Sequence, residues 1–425
     1  MGAVQFSEIT DLKRQAVEKD VRKFYDNNDP GMRAFGKAVD KPKLTEKGYR
    51  LPDYARRPTG MTWFTPDNSD FNQANGPQTV SMWVYPTMSA WPMIWAGSTI
   101  ESMENDTEDN VQSYDQVMVQ YTETFRKRMN QYFYGTGNAA VAYSATTTTV
   151  LGSQSLSGTT TAATTPGQTK GTMWLWEGET YQAINASTGA VRGGFVVTTA
   201  GTSSCTINML YGTVSSGDPI VIQGSYQLAM RGEGWLVSDQ NRVLQGLDTS
   251  VYTDLNAPVV DLAGALLTPA AIENAKALLQ TRNNAVDAKN NLTAFITWGQ
   301  YSTIRKQGYN LGYYLREDAG SDTMKGVQGD YTDGDTRFIC DTDMDEDRVY
   351  FNKTSDYKIY EMKPYGKYNR DGLEQRMLLG ANQTGSDNWQ SAVGWKGNPA
   401  TLSGRGSAFI KRAQLAYATA VTAGL

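Results

Sequence analysis

Residues 108–138 read EDNVQSYDQVMVQYTETFRKRMNQYFYGTGN, and the way this stretch folds decides the rest. Val111, Tyr114, Val117, Met118, Tyr121, Phe125, Met129 and Tyr132 recur at steps of three and four, the spacing that lines up one face of an α-helix. Acidic residues crowd its start and Arg126, Lys127 and Arg128 lie toward its end, an order that complements the helix dipole. Gly135 and Gly137 supply the stop. About 27 helical residues at 1.5 Å each span roughly 40 Å, a strut across a whole domain. Its apolar stripe is core packing.

The chain before the helix has two characters. In residues 8–26, Ile9, Leu12, Ala16, Val17, Val21 and Phe24 share one face opposite Lys13, Arg14, Lys19, Arg22 and Lys23. That pattern predicts an amphipathic helix, with Asp29-Pro30-Gly31 as its stop. Residues 37–98 then hold Pro42, Pro52, Pro58, Pro66, Pro77, Pro86 and Pro92 among Tyr49, Tyr54, Trp63, Phe64, Phe71, Trp83, Tyr85, Trp91 and Trp95. Prolines this frequent forbid a long helix and confine strands to short or edge positions. Aromatics this dense do not suit disorder. The expectation is an extended arm or hairpin whose aromatics are buried against something else, a neighbouring subunit included.

After the helix, residues 144–170 carry ten threonines in 27 positions, a flexible or strand-forming surface segment. From Gly171 to Gly246 come short β-runs, MWLW, TYQAI, GGFVVTT, CTINMLY and PIVIQGSYQLAM, separated by Gly and Ser turns as in a small barrel or sandwich. Thr268-Pro269 opens a helix with a Thr cap and Pro in the first turn, striped by Ile272, Ala275, Leu278 and Leu279. AFITWGQYSTIRKQGYN is a strand leading into a short helix. RVYF and YKIYEM are strands flanking 352–356. Gly385–Gly406 is expected to be a Gly-rich loop carrying Trp389 and Trp395, and AFIKRAQLAYATAV a final strand.

Composition narrows the chemistry. The 425 residues contain no histidine, which removes Ser-His-Asp and Cys-His catalysis and the commonest metal ligand. Only Cys205 and Cys340 are present, so neither a disulfide framework nor a thiolate zinc site can be read; a fold that ignores both is expected. A net charge of -5 gives no global footprint for nucleic acid. The short basic patches Lys13-Arg14, Arg56-Arg57, Arg126-Lys127-Arg128 and Lys411-Arg412 are expected to be solvated faces. No apolar run reaches the roughly 20 residues needed to span a bilayer. The first residues lack the apolar core of a secretory signal, which makes assembly in a cytoplasm the default.

One stretch imitates a metal site. Residues 340–351, CDTDMDEDRVYF, place carboxylates at Asp341, Asp343, Asp345, Glu346 and Asp347. An EF-hand loop begun at Asp341 would need glycine where Glu346 stands and a bidentate glutamate where Asn352 stands. Calcium is therefore not expected. The stretch is read as a solvated acidic turn between strands, or as an acidic edge facing Arg or Lys on a neighbouring subunit. Asp333-Gly334-Asp335 is turn chemistry. Gly135-Thr136-Gly137 is no phosphate loop, because it follows a helix, and the adjacent Glu317 and Asp318 do not make a glycosidase pair. No catalytic, cofactor-binding or metal residue is assigned, and an enzyme is not expected.

The order of these segments, with phrases such as GALLTPAAIENAKALLQTRNN and VGWKGNP, resembles the major capsid proteins of tailed bacteriophages of the Hong Kong 97 phage type. The resemblance implies an α+β fold. Its parts would be an N-terminal arm (1–36), an extended loop (37–100), the spine helix of a peripheral domain (101–140), a β-rich insertion (141–245), an axial domain (246–340) and a C-terminal part shared by the peripheral and axial domains (341–425). It implies a structural subunit that assembles with itself into hexamers and pentamers of an icosahedral shell around double-stranded DNA, without sequence-specific contacts. Scaffolding, portal and decoration proteins are the partners that go with it, and the virion capsid its location. Lys41, Lys43 and Lys47 flank the loop but match no crosslinking site, so covalent crosslinks are not expected. The other readings are a decoration, fibre or baseplate protein, a cellular nanocompartment shell of the same fold, or a carbohydrate-active module suggested by the aromatics.

Overall fold

The long helix spans Asp109–Phe133 in a computed structural model that describes residues 29–38, 44–45, 48–56, 78–96, 109–148, 151–159, 174–201, 204–283, 292–310, 336–345, 347–353, 355–367, 376–379, 385–402 and 405–413. The four-residue rhythm Tyr121, Phe125, Met129, Phe133 faces the largest core, where Phe125, Met129 and Phe133 are buried. Near its end the helix is buried on nearly every side, because Arg128, Asn130 and Gln131 are buried as well. Phe133 meets Phe35 edge to face with ring centroids 4.9 Å apart, and Phe295 lies 5.9 Å away. The predicted amphipathic helix over 8–26 lies outside the described residues. Its expected stop, Asp29-Pro30-Gly31, opens another element: Pro30–Phe35 is a short helix with Pro in its first turn. Gly31 is required there by proximity, since a Cβ would stand 2.5 Å from the Tyr134 hydroxyl and 2.9 Å from the Phe133 ring.

Five sheets, one of them closed into a barrel, surround this centre among the described residues. Strands Gly48–Arg56 and Gln78–Val84 pair antiparallel as a hairpin. Its base is anchored on the chain itself, with Tyr49, Leu51, Met82 and Val84 buried in the main core and the Tyr49 ring 5.5 Å from that of Tyr360. The next strand, Thr87–Ala96, leaves the hairpin and pairs along Gly385–Thr401, which in turn carries Tyr357–Lys367 and Arg376–Leu379 on its other edge. The expected Gly-rich loop is therefore a 17-residue strand. Gly397 serves packing: a Cβ there would stand 2.6 Å from the Trp395 indole and 2.8 Å from the Tyr360 carbonyl.

Beyond the helix, strands Ala140–Ser144, Gly152–Thr159, Thr180–Ile184, Val191–Thr199, Ser204–Gly212 and Pro219–Ile222 close into an antiparallel barrel. MWLW is not one of its strands; Trp174 and Leu175 plug the interior beside Tyr181, Phe195 and Ile207. The barrel strands end at Ile222, and Met230, Leu236, Val237 and Leu244 return to the main core.

A five-stranded mixed sheet is ordered Val259–Asp261, Ser407–Lys411, Val349–Lys353, Leu292–Ile296, Thr336–Cys340. Helices Pro269–Asn283 and Trp298–Asn310 bring Ile272, Ala275, Leu279, Tyr301 and Ile304 to its core. The Thr268 hydroxyl accepts from the Ala271 amide at 3.2 Å, the expected cap, while Leu278 faces outward at 38% exposure. Cys205 and Cys340 are both free thiols.

Candidate functional site

The last turns of the long helix carry successive polar residues that would be expensive to bury alone, and they point to different parts of the molecule. Lys127 reaches toward the acidic stretch, Arg128 toward the barrel, and Arg126 toward the central strands. Lys127 and Arg128, expected on a solvated face, are instead fastening points.

The acidic stretch is also not solvated. Asp341, Asp343 and Asp345 are 2%, 3% and 4% exposed, with Met344 buried between them. One oxygen of Asp341 accepts from the Gly31 amide (3.2 Å), the Asn130 side-chain amide (2.8 Å) and the Tyr134 hydroxyl (2.8 Å). Its other oxygen accepts from the Asp343 amide at 2.9 Å. Asp343 accepts from the same Asn130 group at 2.8 Å and pairs with the Lys127 ammonium at 2.9 Å. Burial, and then the neighbouring Asp341, push the Asp343 carboxyl above its ordinary range. Burial followed by Asp341 pushes the Tyr134 phenol well up too. With Asp341, Asp343 and Asp345 buried within the chain, the reading of these carboxylates as a solvated turn gives way. The oxygens a cation would use are already taken by protein donors, and among the described residues no three acidic or thiol side chains are placed to hold a metal ion.

The second fastening joins helix and barrel. Arg128, 2% exposed, donates to Glu179 (2.5 Å), the Trp174 carbonyl (2.7 Å), Gln131 (2.9 Å) and the Tyr181 hydroxyl (3.1 Å). Its guanidinium lies 3.6 Å over the Trp176 ring, which stacks on Trp91 from the strand Thr87–Ala96. Burial opposes its charge, but Tyr181 and Glu179 outweigh burial and hold its pKa up. A planar fork that pairs and stacks at once suits arginine and not lysine.

A third feature is a lone acid. Glu233 is fully buried on the turn Glu233–Leu236, accepts from the Asn352 amide, and leaves its second oxygen without a partner among the described residues. Burial, partly offset by Asn352, raises its pKa to about 8.

Of the other expectations, Lys411 and Arg412 form ion pairs with Asp239 (2.7 Å) and Asp261 (2.5 Å) and leave no basic patch there. Lys13, Arg14, Lys41, Lys43, Lys47, Arg57, Glu317, Asp318, Asp333, Asp335 and Glu346 lie outside the described residues. The roles of Gly31, Asn130 and Tyr134 were not foreseen. The available signal was Met344: a large apolar residue amid five carboxylates marks a turn that faces inward.

No protein-family model matches the sequence, and no curated protein resembles it. Solved structures do. A cyanophage A-1(L) capsid asymmetric unit superimposes with a TM-score of 0.52 at 9% identity, over 93% of this chain and 95% of that one. A structure from Mycobacterium phage Cain aligns over 98% and 99% at 9% identity, with a TM-score of 0.42. The chain shares the fold of the cyanophage capsid subunit along nearly its whole length.

Proposed function

We propose that the chain is the structural subunit of a tailed-phage shell of the Hong Kong 97 type, assembling with itself into hexamers and pentamers around double-stranded DNA. The observation that carries the reading is the fold over 93% of the chain, in which a hairpin arm, a long helix and a mixed sheet are tied at one place. Such a subunit needs rigid joints and broad complementary surfaces in place of an active site. The two fastenings of the long helix are such joints. In this reading the hairpin is the extended loop reaching over a neighbour, Asp109–Phe133 the spine helix, and the five-stranded unit with helices Pro269–Asn283 and Trp298–Asn310 the axial domain. The barrel is an insertion between them. Tyr85 and Met88, 48% and 54% exposed at the arm's base, are apolar surface that a neighbour would cover. Scaffolding, portal and decoration proteins are the partners that go with this role, and the virion capsid its location.

The test is expression of the chain, alone and beside its neighbouring genes, followed by negative-stain microscopy. Closed shells are the expected result. Monomers or trimers under every condition would overturn the reading.

A further inference from the structure

Beside the short helix Pro30–Phe35 lies a half-open cavity of about 370 Å³, lined by Asp29, Arg33, Lys37, Arg126, Glu361 and Tyr365 among others. Four of its charges are already matched. Arg33 pairs with Asp29 at 2.6 Å, and Lys37 with Glu361 at 2.6 Å. The other oxygen of Glu361 accepts from the Trp395 indole at 2.9 Å. Arg126 is different. Its guanidinium lies 5.2 Å over the Tyr365 ring, its buried Nε has no hydrogen-bond partner, and it makes no ion pair among the described residues. Three cations therefore face two carboxylates, and the surplus charge sits on one planar fork backed by an aromatic face.

That geometry selects for an incoming anion. A carboxylate matches a guanidinium bidentately, and the cavity has room to admit one. A nucleic-acid backbone fits less well, because it would run its phosphates past Asp29 and Glu361, and a single pocket does not track a strand. The chain itself supplies the complementary charge, with 44 acidic against 39 basic residues. We propose that this cavity receives an Asp or Glu side chain of a second copy of the chain, paired with Arg126. The proposal rests on the shell-subunit reading.

The test has two arms. In the first, the critical concentration for assembly of the parent, Arg126→Gln and Arg126→Lys is measured across ionic strength. Arg126→Gln is expected to raise it about tenfold at low salt, with the difference shrinking as salt screens the pair. Arg126→Lys should recover part of the loss. A variant that assembles like the parent at every ionic strength overturns the proposal. So does a variant that merely lowers the melting temperature of the unassembled chain, since the missing carboxylate would then be intramolecular.

In the second arm, acetyl-Asp-Glu is titrated into unassembled protein while the Trp395 indole N–H resonance is followed. The parent should bind at millimolar concentration and Arg126→Gln at least fivefold more weakly. No shift in the parent overturns the cavity's anion chemistry. A parent that binds the dipeptide yet never forms shells keeps that chemistry and discards the shell reading and, with it, the second copy as occupant.

Discussion

Replacing Glu233 by glutamine should make folding less sensitive to pH. The carboxyl is fully buried, and burial raises its pKa to about 8 from the ordinary 4.5. Below the ordinary value it is neutral whether the chain is folded or not, so it does not affect the balance. Above that value the unfolded chain releases the proton while the folded chain keeps it. Stability is then lost at about 1.4 kcal/mol per pH unit until the folded group also ionises near 8. Over that window the loss amounts to roughly 3–5 kcal/mol, a large share of the roughly 5–15 kcal/mol that holds a typical domain. Glutamine occupies the same space, can still accept from Asn352, and has no proton to lose. Urea midpoints of parent and Glu233→Gln, measured on the unassembled chain at pH 5 and at pH 8, check this. The two should nearly coincide at pH 5, and the variant should be clearly more stable at pH 8. Asp343 and the buried tyrosines are common to both proteins and cancel in the comparison. A parent–variant difference that does not change between the two pH values would refute the reasoning.

Phe133→Ala leaves a cavity ringed by Phe35, Tyr134 and Phe295, and calorimetric or urea unfolding should show a loss of about 3–5 kcal/mol. Asp341→Asn faces an amide toward Gly31, Asn130 and Tyr134, which all donate to one oxygen; a loss of about 3 kcal/mol is expected, with faster hydrogen exchange at Gly31. Arg128→Met combined with Glu179→Gln in a double-mutant cycle should give a coupling of about 1–3 kcal/mol, since their contact at 2.5 Å is shielded from solvent on the arginine side. Gly397→Ala should destabilise by about 1–3 kcal/mol, because a methyl group there meets the Trp395 ring and the Tyr360 carbonyl.

The elements that were legible from sequence are those whose signal is local. The long helix shows through its four-residue stripe, the Thr268 cap through its hydroxyl and the proline behind it, and most of the barrel strands through short β-runs between glycine turns. What was illegible depends on partners far along the chain. Gly385–Thr401 looks like a loop because its glycines resemble turn residues, and only the indole of Trp395 and the Tyr360 carbonyl show why Gly397 is small. Gly31 resembles a turn residue until Phe133 and Tyr134 are seen pressed against it. The carboxylates of 341–345 suggest water because acidic residues usually seek it, yet Asn130, Lys127 and Tyr134, some two hundred positions away, turn that segment inward. Charge alone does not say whether a residue is hydrated or matched.

The pairing of Thr87–Ala96 with Gly385–Thr401, in which Trp91 sits opposite Val393, has a kinetic consequence. The earlier strand emerges from the ribosome about 300 residues before its partner, and at roughly 5–20 residues per second it waits tens of seconds with an open edge. Throughout that interval the nascent chain carries an unpaired apolar ribbon with Trp91 and Met93 on it, the kind of edge that recruits other chains. Closing so distant a pair also carries a high loop entropy and slows folding. Slowing translation between codons 100 and 385 should therefore lower the yield of soluble chain, whereas the same slowing after codon 401 should leave it unchanged.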